Sequence, residues 1–337
     1  MKTVKDIYDF FQQGIDSARK DLSQLVSSDP DFMIKNTDGK VIDANMSLAS
    51  EYYKVCERMV NDTLMMRLPS IDHLLYLQNI YVSLHNSSPK HTDKLRTELE
   101  YGSYDYKYRG FVYTRDCFTD SVLPICGIKQ DDEEDIGTAF CIGNNRFVTA
   151  AHCIKDLKSF NLLKPDGNPF ELKEVWFVKD QDMDIFDLAV LTVKEQMEIK
   201  SFRLGIPAVL DDVLIMGYPP IAGFNAILTS ETATVGAYQK SSTGQVVGAD
   251  KPYGISLDFF LINARVKGGN SGGPVINNCG EVIGVVVKLP LDIKSDSSNP
   301  RYDLMGYGIC LPSKYVIELM QNHDVLSLSH DGKYYHI

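Results

Sequence analysis

GGNSGGPV, Gly268 to Val275, and FVTAAHC, Phe147 to Cys153, are the stretches on which the reading of this 337-residue chain turns. Glycines at 268 and 269 permit backbone dihedrals that residues with a Cβ resist, so the chain can turn sharply there and aim successive N–H groups at one point. Gly269 and Ser271 are the residues whose N–H groups would converge. Gly272 and Gly273 are expected to leave room for a substrate backbone. Pro274 ends the turn, and VINNCGEVIGVVV, Val275 to Val287, reads as two apolar strands joined by an Asn-Asn-Cys-Gly turn. Ser271 is thereby expected on a rigid loop between strands.

A serine hydroxyl is a weak nucleophile until a base takes its proton, and the oxyanion that follows needs N–H donors already in place. A glycine loop alone is only a loop. Its company changes the reading, because His152 follows the apolar run Phe147-Val148-Thr149-Ala150-Ala151 and so stands at the exposed end of a buried strand. A carboxylate must orient that ring. Asp180, Asp182, Asp184 and Asp187 crowd one approach, and Asp187 is preferred because it abuts the apolar run Leu188 to Val193. The other three read as solvated loop charges.

These residues resemble the trypsin-like (chymotrypsin-fold) serine peptidases. The order is the family's: GTAFCIGNNRFVTAAHC (Gly137 to Cys153) around the base, DLAVLTV (Asp187 to Val193) around the acid, GNSGGP around the nucleophile. VLIMGYP (Val213 to Pro219) and GYGICLPSKYVIELM (Gly306 to Met320) are similar to the HtrA branch and its glutamyl-endopeptidase-like bacterial relatives. The resemblance runs from about residue 118 to 325. It implies Ser271 as nucleophile, His152 as general base and acid, Asp187 as the group that fixes the imidazole tautomer, and Gly269 and Ser271 as the oxyanion hole. It implies a polypeptide substrate, with no cofactor and no metal.

Two departures from that family stand out. The secreted members carry an aspartate before the nucleophile, which pairs with a new N-terminus and switches the enzyme on; here the residue is Asn270, and a neutral amide cannot form that ion pair. Cys153 follows the histidine as in the secreted members, yet the position of its usual partner holds Gly137.

A net charge of −11 argues against nucleic acid or anionic membrane as partners, because both need a basic surface. Seven cysteines are scattered and without CxxC spacing; most read as small buried apolar residues, which points to a reducing compartment. Charges at Lys2, Lys5, Asp6 and Asp9 interrupt the N-terminal segment, which does not read as a secretory signal, and no stretch approaches the ~20 apolar residues of a membrane span. The expectation is a cytoplasmic protein.

Upstream of the resemblance the chain reads as helical. Residues 3–27 begin with a capping-box-like Thr3 and Asp6 and present Ile7, Phe11, Ile15, Ala18, Leu22 and Leu25 on one face. Further helices are expected over about 43–66 and 70–86, broken at Pro69 and Ser70. His73, His85 and His91 fit no metal-ligand spacing. Tyr101, Tyr104, Tyr106, Tyr108 and Tyr113 alternate in a way that suggests a half-exposed strand, and Asp131 to Asp135 is a solvated acidic loop.

From residue 121 short strands recur: Val122 to Ile128, Thr138 to Ile142, Phe147 to Ala151, Glu174 to Val178, Leu188 to Val193 and Val213 to Met216. The resulting fold class is mainly β, a chymotrypsin-like double β-barrel preceded by an α-helical N-terminal region. Residues 1–115 form the helical region and 116–337 the peptidase domain, with two six-stranded barrels, the triad in their cleft, and Tyr315 to Met320 as closing helix. A PDZ module after that helix, as HtrA proteins carry, is not expected. Arg265, Lys267 and Lys288 flank the expected specificity pocket and would favour an acidic substrate side chain if they point inward. The helical region could recruit or sense an activating protein, cover the active site, or simply pack on the barrel. The alternative function is a binding or scaffold module that keeps the fold in a latent or inactive state.

Overall fold

The computed structural model describes residues 1–12, 20–68, 76–84, 89–155, 157–179, 182–183, 185–196, 198–220, 238–251, 255–287, 307–331 and 334–336. Two compact units divide the chain, Met1–Gly110 and Phe111–Ile337.

In the first unit, helix α1 (Val4–Gln12) buries Val4, Ile7, Tyr8 and Phe11, the spacing of one helical face. Thr3 and Asp6 cap it reciprocally: Thr3 N donates to Asp6 Oδ2 at 2.9 Å, and Asp6 N donates to Thr3 Oγ1 at 3.1 Å. Helix α2 (Leu22–Ser27) starts at a second capping box, Asp21 with Gln24. The single helix expected over 3–27 is therefore not formed as such; Ile15 and Ala18 lie outside the described residues. A hairpin of β1 (Met33–Lys35) and β2 (Val41–Ala44) follows, then helix α3 (Met46–Asn61), which buries Tyr52, Val55, Cys56 and Met59.

The helix expected over 70–86 is corrected. Strand β4 (Ile80–Ser83) pairs antiparallel with β3 (Met65–Leu68), from Met65 opposite Ser83 to Leu68 opposite Ile80. Tyr81 and Ser83 are buried while Ile80 and Val82 are half-buried, a period of two that the β-branched residues favour. Residues 69–75, including His73, lie outside the description, as does His85. The tyrosines are corrected in the opposite sense: Tyr101 ends α4 (Pro89–Tyr101) and the other four fall on α5 (Ser103–Phe118), where Tyr104 and Tyr108 meet one turn apart with ring centroids at 5.8 Å. Gly110, at φ +77°, interrupts that helix.

The second unit is mainly β. Strands β5 (Val122–Lys129), β6 (Glu134–Gly143), β7 (Arg146–Thr149), β8 (Leu157–Leu162), β9 (Leu172–Val178) and β10 (Ala189–Val193) make one sheet. Strands β11 (Asp212–Gly217), β12 (Lys240–Asp250), β13 (Phe259–Ile262), β14 (Pro274–Asn277), β15 (Val282–Val287) and β16 (Gly308–Pro312) close into a barrel in the order β11-β12-β13-β16-β15-β14. Its core includes Val213, Ile215, Phe260, Ile262, Val275 and Val286. Helix α6 (Lys314–Gln321) follows, burying Tyr315, Val316 and Leu319.

The expectation of two closed six-stranded barrels needs one correction. Among the described residues β8 and β9 do not pair along their lengths; the segment between them forms an isolated bridge, Leu163 with Pro169, so the first set stays an open sheet. Unpaired edge N–H and C=O groups need partners, and the chain after α6 supplies them. Strand β17 (His323–Ser327) pairs with β9, and β19 (Tyr334–His336), itself paired with β18 (Ser329–Asp331), joins β8. The buried Tyr335 hydroxyl accepts a hydrogen bond from Leu172 N at 2.8 Å, bridging toward β9 across the gap.

Candidate active site

Strand β7 delivers His152. After Thr149 the chain enters a 3-10 turn, Ala151–Cys153, with Ala150 and Ala151 fully buried, so the imidazole is set at the strand's end by packing on both sides. Asp187 comes from the segment leading into β10, anchored by the fully buried Phe186 and Leu188. The Phe186 ring meets Tyr315 of α6 edge-on at 5.5 Å, so the closing helix braces this segment. The Asp187 carboxylate, 3% exposed, grips His152 twice: it accepts from His152 N at 2.8 Å on Oδ1 and lies 2.6 Å from Nδ1 on Oδ2. That pairing holds the proton on Nδ1 and leaves Nε2 as the ring's basic atom. Of the rival carboxylates, Asp182 is exposed, while Asp180 and Asp184 lie outside the described residues.

Burial disfavours a charged His152 ring. The Asp187 hydrogen bond and the neighbouring Cys153 thiol oppose it and prevail, so the imidazole titrates above its ordinary range.

The Ser271 turn belongs to the closed barrel. Gly269 has φ +88°, and a Cβ on it would fall 2.5 Å from Tyr218 O and 2.8 Å from the Pro219 Cα. The buried Asn270 donates its N–H to Lys267 O at 3.0 Å and accepts from Gly273 N at 2.9 Å. Among the described residues neither Gly269 N–H nor Ser271 N–H finds an acceptor, and the Ser271 hydroxyl makes no hydrogen bond. Two uncommitted backbone donors two residues apart can receive a developing oxyanion.

One expectation about this turn is overturned. Gly272 and Gly273 do not leave space for a substrate: a Cβ on Gly272 would lie 2.2 Å from Thr138 O and 2.3 Å from Thr149 Oγ1, and one on Gly273 would lie 2.7 Å from Met216 O. These glycines let the turn pack directly against β6, β7 and β11. Gly268, by contrast, has no atom of the described residues within 4 Å of where a Cβ would stand.

Cys153 neighbours both Ser271 and His152. Its Sγ donates to Ser271 O at 3.4 Å and lies 3.8 Å from His152 Nε2. No disulfide forms, because position 137 is a glycine; a Cβ there would sit 2.8 Å from that sulfur. Arg265 and Lys267 are exposed on the segment leading to the turn, and Lys288 lies outside the described residues. Sequence reasoning missed Thr138 and Thr149, two fully buried polar residues behind the turn, because a threonine within a β-strand carries no signal of what it faces.

Residues 137–285 match the family model for the trypsin-like peptidase domain. Those residues are a trypsin-like peptidase domain. Over 207 residues the chain is 31% identical to Protease Do-like 2, chloroplastic, of Arabidopsis thaliana, a match covering 61% of this chain and 30% of that one. With Serine protease HTRA4 of Homo sapiens it shares 29% identity over 154 residues, 44% of this chain and 29% of that protein. The chain thus spans less than a third of the length of either relative. Among solved structures, the active form of the Rv3671c protease from M. tuberculosis shares 22% identity at a TM-score of 0.48, over 65% of this chain and 87% of that one. The matched segment of the peptidase domain contains His152, Asp187 and Ser271 together.

Proposed function

We propose that this protein is a serine endopeptidase in which Ser271 attacks the substrate carbonyl, His152 takes the hydroxyl proton and later delivers it to the leaving amine, and Asp187 holds the ring for both transfers. The N–H groups of Gly269 and Ser271 receive the oxyanion of each tetrahedral intermediate. Water, activated by the same imidazole, then releases the acyl group from Ser271. The observation that carries this reading is the two-point grip of Asp187 on His152, set beside a turn whose two N–H donors are uncommitted.

Fluorophosphonate labelling tests it, since such probes modify only an activated serine and need no knowledge of the substrate. The full chain labels, and Ser271→Ala does not. Labelling that survives in Ser271→Ala would sink the assignment.

The unbonded Ser271 hydroxyl supports a second reading, a resting site that tightens when substrate or an activating protein binds, as apo sites commonly do. Residues 1–110 are the proposed control or recruitment unit; labelling that appears only after their proteolytic removal or on adding a partner would select this reading. An acidic substrate side chain before the scissile bond requires Arg265 or Lys267, both exposed, to turn toward the substrate when it binds, which mapping of cleavage sites in a peptide library checks. The seven free thiols favour a reducing, cytoplasmic compartment, although one relative's name places that relative in the chloroplast. Among the described residues no helix is long and apolar enough to cross a membrane. The acidic charge balance favours neither nucleic acid nor anionic lipid as partner.

A further inference from the structure

The peptide units of the Ser271 turn are not held equally. The unit between Gly269 and Asn270 is pinned at both ends: its carbonyl accepts from Thr138 Oγ1 at 2.6 Å and from Tyr218 N at 3.4 Å, and its N–H donates to Lys267 O at 3.0 Å. The unit between Asn270 and Ser271 is pinned at its carbonyl by Gly273 N, which turns the Ser271 N–H the opposite way. Ser271 O accepts from Thr138 N at 2.9 Å. The unit between Gly268 and Gly269 has no partner at either end among the described residues, and Gly268 has no atom within 4 Å of where a Cβ would stand.

This unit carries one of the two oxyanion donors, and nothing holds it directly. Its orientation depends on Gly269 keeping φ at +88°, and that depends on the Gly269 carbonyl staying where the Thr138 hydroxyl holds it. Rotation of the loose unit would withdraw an N–H and present the Gly268 carbonyl instead, replacing a donor with an acceptor at the point where negative charge develops.

Thr138 is fully buried in β6, on the other sheet, and every polar atom it has is engaged. Its hydroxyl accepts from Tyr218 N at 3.2 Å while donating to Gly269, and its carbonyl accepts from Thr149 Oγ1 at 2.8 Å. Thr149 ends the strand that leads to His152. One residue therefore ties the oxyanion turn to the strand carrying the imidazole.

We infer that Thr138 is a positioning residue that keeps the oxyanion hole open, an inference that rests on the serine-peptidase reading above. The test is the second-order rate of fluorophosphonate labelling of the full chain across pH, for wild type, Thr138→Val and Thr138→Ser. Valine keeps the shape and loses the hydroxyl; its rate falls roughly 10- to 100-fold, approaching the loss of one oxyanion donor. Serine keeps the hydroxyl and retains most of the rate. The pH of half-maximal labelling stays where it is in wild type, because the contacts of His152 with Asp187 are untouched. A wild-type rate in Thr138→Val overturns the inference and leaves the nucleophile assignment standing. So does a loss in Thr138→Ser as deep as in Thr138→Val, which would make position 138 a packing site, or a shifted pH midpoint, which would place the effect on His152. Absence of labelling in wild type both as the full chain and after proteolytic removal of residues 1–110 overturns the nucleophile assignment itself, and the inference with it.

Discussion

The two halves of the candidate site are built by different means. On the open sheet, Asp187 and His152 are positioned through side chains: one carboxylate makes two hydrogen bonds and is locked between buried hydrophobic neighbours. On the closed barrel, the Ser271 turn is positioned through its backbone, with glycines that admit neighbouring atoms at distances no Cβ tolerates. The difference predicts how each half fails. A shape-conserving substitution in the side-chain half removes chemistry and spares the fold, whereas a substitution in the backbone half strikes the fold first.

The largest expected effect probes the side-chain half. Asp187→Asn keeps the shape but no longer stabilises the imidazolium or its tautomer, so turnover falls about 10⁴-fold while the thermal transition moves little. pH sharpens the case. The folded-state pKa of His152 is raised, and the base form is the active one, so labelling rises with pH through a midpoint above the usual histidine value of about 6.5. Losing the carboxylate that raises it moves the midpoint of any residual labelling toward lower pH. The linked stability has the matching sign: it is fully present below about pH 6.5 and is lost as pH rises through the raised folded value. A midpoint unchanged in Asp187→Asn would contradict the geometry.

Next comes the backbone half. Gly272→Ala places a methyl against Thr138 O and Thr149 Oγ1 at φ +78°, and a loss of about 3 kcal/mol or more is expected by thermal or urea denaturation. Gly268→Ala is its control, costing less than about 0.5 kcal/mol because no described residue stands nearby. Equal costs for the two would erase the distinction drawn between them. The smallest effect lies at the sheet edge: Tyr335→Phe leaves Leu172 N without its partner and costs about 1–2 kcal/mol, read as a lowered melting temperature.

What was legible in the sequence followed from local chemistry. Phe147 to Ala151 ahead of His152, and Asp187 ahead of an apolar run, could be placed on β7 and before β10 because strand periodicity and burial are written in consecutive residues. Residues 80–83 were misread because an apolar run that short fits either period until its partner strand, Met65–Leu68, is known. The tyrosines alternate like a strand, yet positions 104 and 108 also lie one helical turn apart, and on α5 their rings pack on each other with centroids at 5.8 Å. The last strands escaped notice because His323–Ser327 and Tyr334–His336 are short, partly polar segments whose strand state comes from the edges they complete.

The sequence alone determined the candidate reactive groups, their order along the chain and the glycines of the turn, since each is a property of residue type and spacing. Tertiary structure decided which carboxylate reaches His152, why Gly272 must be glycine, and that a threonine 133 residues before Ser271 steadies its turn. These are contacts between strands far apart in the chain, and sequence separation carries no information about distance until the sheets have paired.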